Sequence, residues 1–328
     1  ANHVDHLSPP SSHRGRADAI ALCYPRPVAI CHPELGAYLD RLAGHYGPSY
    51  LRSDPLALVR AFPRPEDREI AGFLAAGLAF GRVDLILMHL RDLWERLDHA
   101  PAQVAEAWSD ADGLRLRGFV HRWVRGEHVA AVIAALGRVR RRYGSLREAF
   151  LAGYDPVAED LAGSLSRFLG VLRRDLGSAA AGGTADAALP QGLRTFFVDP
   201  AGGAACKRLN LFLRWMVRPD DGIDLGLWAP VRPAQLVMPV DTHVARLSAI
   251  LGLTGRRTVD WRMAREIRDR LRTWDPDDPV RYDFPLSRLG ILDACPRRAD
   301  PAKCAACSLL PVCVLGRAGA ARVASAAA

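Results

Sequence analysis

Four cysteines near the C-terminal end, Cys295, Cys304, Cys307 and Cys313, fall within nineteen residues in the spacing Cys-x8-Cys-x2-Cys-x5-Cys. Thiolates gathered by such short loops suit tetrahedral Zn²⁺ or a [4Fe–4S] cluster equally well on chemical grounds. A tight group of this kind in a chain without export features points to metal rather than to disulfides. The other three cysteines, Cys23, Cys31 and Cys206, stand apart and read as ordinary half-buried residues.

A second candidate is an amine. The chain carries 44 basic residues, of which only Lys207 and Lys303 are lysines. An Arg-rich proteome accounts for part of that bias. Arg can replace Lys wherever a plain positive charge suffices, but its guanidinium stays protonated and cannot act as an amine nucleophile. A lysine kept against this background is therefore a candidate for amine chemistry. Lys207 opens the strongly helical segment 207–218, directly after the glycine-bearing turn Asp199-Pro200-Ala201-Gly202-Gly203. Glycines there permit a tight turn and a close approach of backbone N–H groups to a phosphate.

The third candidate is Asp241, in the string Pro239-Val240-Asp241-Thr242-His243-Val244-Ala245-Arg246. An Asp followed by an apolar-periodic helix is first of all an N-cap.

Read together, these segments resemble the helix–hairpin–helix DNA glycosylase superfamily. Val-Asp-Thr-His-x-x-Arg looks like that superfamily's catalytic segment, and Leu286 to Cys295 looks like its approach to the first cluster cysteine. The endonuclease III and adenine glycosylase branches carry Cys-x6-Cys-x2-Cys-x5-Cys; here the last two gaps match and the first is two residues longer. Neither the single Cys-x2-Cys knuckle of this chain nor its other gaps fit zinc ribbons, radical-SAM enzymes or bacterial ferredoxins. The turn at 199–207 is a degenerate match to the hairpin that carries the lysine. Lys207 lies 34 residues before Asp241, a longer gap than the endonuclease III branch has and closer to that of the archaeal 8-oxoguanine glycosylases. The specific resemblance spans roughly residues 200–313.

The resemblance implies an all-α, two-lobed enzyme that removes a damaged base from double-stranded DNA, with an oxidised purine such as 8-oxoguanine favoured. It makes Asp241 the carboxylate facing the sugar and Lys207 the nucleophile of a Schiff base that permits β-elimination, and it makes the four cysteines ligands of a [4Fe–4S] cluster. Gly202, Gly203, Arg208, His243, Arg246, Arg297, Arg298 and Lys303 are then expected at the DNA backbone, and Trp215 and Trp228 are candidates for stacking on a purine. At the position of the endonuclease III wedge glutamine stands Gly77, so another residue would have to fill the gap left by an extruded nucleotide. Two readings compete: a glycosylase-fold protein that senses DNA structure without excising a base, and a monofunctional glycosylase. A zinc-stabilised helical interaction protein unrelated to DNA is a third. A lysine and an aspartate kept together in an Arg-rich chain argue against binding alone.

These residues must be positioned by helices. Apolar residues recur at three- and four-residue spacing over 34–46, 54–62, two segments within 66–97 broken near Gly81-Arg82, 114–124, 127–142, pieces of 145–176, 206–218, 242–252, 260–273 and 284–293. Strand-like alternation is almost absent. Residues 1–20 read as a loose arm and 178–192 and 219–237 as loops. The expected lobes are 21–70 with 239–328, carrying the cysteine loop, and the central 71–238, carrying the hairpin.

The 328-residue chain is 49% hydrophobic and carries a net charge of +8, which permits a polyanionic partner without demanding one. It has no apolar run of the roughly 18 residues that a membrane helix needs and no apolar signal core, so a cytoplasmic, nucleoid-associated monomer is expected. Arginine runs at 138–142 and at Arg256, Arg257, Arg262 and Arg265 are either solvated helix faces or phosphate contacts.

Overall fold

The computed structural model describes residues 31–176, 189–292, 295–296 and 298–319. Its fourteen named α-helices, among the described residues, are α1 (Leu35–His45), α2 (Pro55–Arg60), α3 (Pro65–Leu78), α4 (Val83–Arg96), α5 (Pro101–Glu106), α6 (Gly126–Tyr143), α7 (Leu146–Leu151), α8 (Ala162–Arg174), α9 (Gln191–Arg194), α10 (Lys207–Val217), α11 (Thr242–Ile250), α12 (Trp261–Leu271), α13 (Asp283–Ile291) and α14 (Pro301–Ala305). The protein is mostly helical, as its periodicity predicts. No described helix is long and apolar enough to cross a membrane.

One expected helix is absent. Residues 114–124 instead contain the end of a 3₁₀ segment, Asp110–Leu116, and an antiparallel hairpin pairing β1 (Val120–His121) with β2 (Val124–Arg125). Gly118 and Arg122 adopt left-handed backbone conformations, with φ of 79° and 55°. Those turns break any 3.6-residue repeat. The arm and most of the loop at 178–192 lie outside the described residues.

Helix α3 is the central post. Pro65 starts it, Glu66 and Asp67 complement its N-terminal dipole, and every residue from Glu69 to Leu78 is buried. It packs against α2, α5 and α10, and the expected lobe boundary at 70/71 falls inside it. Small residues set these approaches. A Cβ on Gly72 would stand 2.5 Å from Met216 of α10, and one on Gly137 of α6 would stand 1.7 Å from the Ala105 carbonyl of α5. Aromatic rings fill the interior, with Phe73–Phe212 centroids at 5.3 Å, Phe212–Trp228 at 5.3 Å and Phe150–Trp228 at 5.1 Å.

Buried charges are paired. Glu69 of α3 accepts from Trp228 Nε1 at 2.7 Å and from the first amides of α7, Leu146 and Arg147, both at 3.1 Å. Burial pushes its carboxyl up despite these donors. Arg214 of α10 binds Asp224 at 3.1 Å and also Asp283, the first residue of α13. Arg218 ties Asp278 at 2.8 Å and pairs with Asp224 as well. This ladder pins the C-terminal end of α10 to the segment that launches α13.

Candidate active-site cleft

Lys207 is delivered by a locally dictated turn. The Asp199 side chain accepts from Ala201 N at 2.9 Å and opens a short 3₁₀ turn, Pro200–Gly202. Gly203 then takes φ 78°, and Cys206 takes φ 47° immediately before α10. The Gly203 carbonyl accepts from Trp261 N at 2.9 Å, which docks the turn on the start of α12. Gly202 and Gly203 are exposed, and a Cβ on either would meet nothing within 4 Å. Cys206 is buried, its thiol pushed up to about 12 chiefly by that burial, and it donates to the Val198 and Ala204 carbonyls. The Lys207 ammonium reaches across to the end of α3 and donates to the Ala79 carbonyl at 3.3 Å.

Asp241 is extended, and one carboxylate oxygen accepts from His243 N and Val244 N, both at 2.9 Å. It is thus the N-cap of α11 that its sequence context predicts. Among the described residues its other oxygen accepts no hydrogen bond.

Lys207 and Asp241 line one cleft of about 970 Å³. Its walls come from the α3–α4 turn (Ala79 to Asp84), the start of α10, the start of α11 and the inner face of α13. Phe80 is locked there, with its ring stacked on Trp123 at 4.7 Å and the Arg208 guanidinium 5.3 Å from its centroid. Trp123 and Arg208 are both held by Thr195, the former on its hydroxyl at 2.9 Å and the latter on its carbonyl at 3.0 Å. The buried floor holds Asp283 with Arg214, and Asp54 with Arg288 at 2.8 Å. Burial pushes the Asp283 carboxyl up to about 6. Arg214 and Lys207 oppose that rise and Asp241 adds to it, so the lysine and both aspartates share one electrostatic environment. Asp283 and Arg288 carry no role in the sequence reading, because their partnerships, with Arg214 and Asp54, span 69 and 234 residues of chain.

Cys295, Cys304, Cys307 and Cys313 line a single small cavity with Lys303 and Gly316. Burial is the main force raising the Cys307 and Cys313 thiols, and neighbouring cysteines add to it. Arg246 Nη1 lies 3.4 Å from Cys295 Sγ, and Gly316 N donates to Cys313 Sγ at 3.3 Å. Among the described residues no group of three or more His, Cys, Asp or Glu side chains is arranged to hold a metal ion. A four-iron cluster spreads its thiolates around a wider body than one ion does, and an all-thiolate set with cationic and amide donors on its sulfurs suits such a cluster.

Several expected contacts need correction. Trp215 and Trp228 are fully buried and line no part of the cleft; Trp228 is committed to Glu69, so neither can stack on a base. Arg246 is only 4% exposed and donates to the Cys295 and Pro296 carbonyls at 2.8 and 2.9 Å, which makes it a strut rather than a phosphate contact. Gly77 faces inward, where a Cβ would stand 2.2 Å from the Phe196 ring, so no side chain there could reach a neighbouring molecule. Arg208 and His243 do line the cleft. Arg298 and Lys303 are exposed, and Arg297 lies outside the described residues. Arg140 is bound to Glu106, Arg142 to Asp175, Arg256 to Asp260 and Arg265 to Glu159 and Asp160. Arg257 and Arg262 are exposed and form no ion pair among the described residues.

A family model described as protein of unknown function, DUF2400, matches residues 54–292, and the chain belongs to that family. No curated protein and no solved structure matches it.

Proposed function

We propose that this DUF2400 protein is a DNA glycosylase with lyase activity, excising a damaged base from duplex DNA through a Schiff base on Lys207. The observation that carries the reading is the meeting of Lys207 and Asp241, 34 residues apart in sequence, in one cleft beside an exposed glycine turn. The finer two-lobed glycosylase architecture belongs to the same proposal, as do cytoplasmic, nucleoid-associated residence and a monomeric state.

Breaking an N-glycosidic bond builds positive charge at the sugar C1′ carbon. The uncommitted oxygen of Asp241 is placed to stabilise that charge, while its partner oxygen stays on the helix amides and fixes the orientation. The Lys207 amine then bonds to C1′, and the resulting imine acidifies the adjacent carbon, so the 3′ phosphate departs by elimination. Extruding the nucleotide costs a few kcal/mol. Gly202 and Gly203 donate their N–H groups within the turn, to the Asp199 and Pro200 carbonyls, so what they would give a phosphate is a surface without side chains to approach, with Arg298 and Lys303 on the cysteine loop as backbone contacts. Oxidised purines such as 8-oxoguanine are the favoured targets. The four cysteines would hold a [4Fe–4S] cluster whose part is structural, shaping the loop from Pro296 to Cys304.

Borohydride trapping on duplexes bearing an abasic site or 8-oxoguanine tests this. The wild-type chain should give a covalent adduct, Lys207→Gln should give none, and Asp241→Asn should form it about 10²-fold more slowly. No wild-type adduct on any lesion would refute the lyase step, and an adduct retained by Lys207→Gln would mean a different nucleophile.

A further inference from the structure

We propose that Asp283 is a third working residue of the cleft, the carboxylate that receives the proton Lys207 must shed as its amine bonds to the sugar. The inference rests on the lyase reading above. Asp283 is 2% exposed and lies on the cleft floor at the first position of α13. One of its oxygens is taken by Arg214, and among the described residues no hydrogen bond occupies the other. The charged groups facing it come from every neighbouring element. Arg214 and Lys207 project from α10, Asp241 from the start of α11, and Asp224, which shares Arg214, from the loop after α10. Asp54, ahead of α2, is occupied by Arg288 of α13 itself.

The two aspartates divide the work by environment. Asp241 gives one oxygen to the α11 amides and keeps the other for developing positive charge. Asp283 sits where burial favours its neutral form and holds its carboxyl near about 6, a value suited to exchanging protons near neutral pH. When the Lys207 Nζ–C1′ bond forms, the bond from C1′ to the departing base breaks with its electron pair, and the base takes a proton from a water molecule whose hydroxide passes to bulk solvent. At an abasic site the same attack displaces the C1′ hydroxyl as hydroxide in place of the base. The attacking nitrogen becomes a secondary ammonium, and its surplus proton passes to Asp283. The nitrogen lone pair then opens the sugar ring to the imine, and the ring oxygen leaves as an alkoxide. That alkoxide takes the proton back from Asp283, which is restored. Arg214 is the positioning residue, holding the second oxygen so that the free one stays turned to the cleft.

The test is the rate of borohydride trapping on an abasic duplex between about pH 5 and about pH 8, the range in which a carboxyl so raised titrates. The wild-type rate should climb as Asp283 ionises near about 6. Asp283→Asn should lose that acidic limb and slow by about 10²-fold, the lower end for removing a positioned proton acceptor. Asp283→Glu should restore a limb with a displaced midpoint, which a purely structural carboxylate would not produce. An Asp283→Asn profile that superimposes on the wild type overturns the inference alone. A wild-type chain that gives no adduct at any pH removes the lyase reading and this inference together. If circular dichroism shows Asp283→Asn unfolded, the Glu variant decides, and an unmoved limb there counts against the proposal.

Discussion

At Asp241 one carboxylate oxygen is committed to the amides of His243 and Val244, so a substitution there disturbs a helix as well as any chemistry. The two effects separate by choice of replacement. Asn caps a helix about as well as Asp, whereas Ala forfeits the cap at a cost of about 1 kcal/mol. Asp241→Asn should therefore keep the wild-type melting temperature, Asp241→Ala should melt lower, and both should lose about 10²-fold or more in base release. Equal activity in wild type and Asn variant, at equal stability, would reduce Asp241 to its cap. The cap itself was legible from sequence, because an Asp before Thr-His and an apolar repeat has a local meaning. Asp283 was not, since nothing in Asp-Phe-Pro-Leu announces a partner on α10. The scarcity of lysine singled out Lys207 without any structural help.

Among the elements, α3 shows where periodicity stops being informative. Its boundaries follow from Pro65 and the turn at Gly81, but a helix buried all round offers no polar face to orient it. The position matched to the wedge glutamine, Gly77, faces Phe196, an orientation that periodicity could not give. Gly77→Gln should destabilise the protein by about 3 kcal/mol or more, because overpacking a filled core forces neighbours off their rotamers. Urea denaturation measures this, and a change within about 0.5 kcal/mol would contradict the packing described. The same blindness left Trp215 and Trp228 open as stacking candidates: an aromatic at helical spacing can face the interior or a ligand, and only their neighbours decide. In the 110–125 region, local turn residues overrode an apolar pattern that read as a helix.

For the whole molecule, many arginines are committed to ion pairs, such as Arg140 with Glu106 and Arg265 with Glu159, and this pairing leaves the net charge of +8 unchanged. Arg257 and Arg262 are among the exposed arginines that lie outside such pairs among the described residues and are available to a polyanion. Duplex DNA affinity should fall with rising salt, and each phosphate contact contributes about 0.9 to the logarithmic slope. Arg257→Ala and Arg262→Ala should each flatten that slope by about 1, measured by fluorescence anisotropy across a salt series. Affinity indifferent to salt would exclude DNA as the partner. Net charge, read from composition, could not have revealed this distribution, because pairing between distant segments is a property of the folded chain.

Arg246 links the helix beside the cleft to the cysteine segment. It lies five positions after Asp241, on the helix that Asp241 caps, and its guanidinium grips the carbonyls of Cys295 and Pro296. Helix α11 is therefore keyed at one end to the cleft and along its flank to the cysteine segment. A chain whose cysteine segment has not seated leaves three donors of a buried guanidinium without acceptors, and the resulting slack is delivered straight to the carboxylate. Seating of the cysteine segment and orientation of the Asp241 carboxylate are thus joined mechanically through one helix.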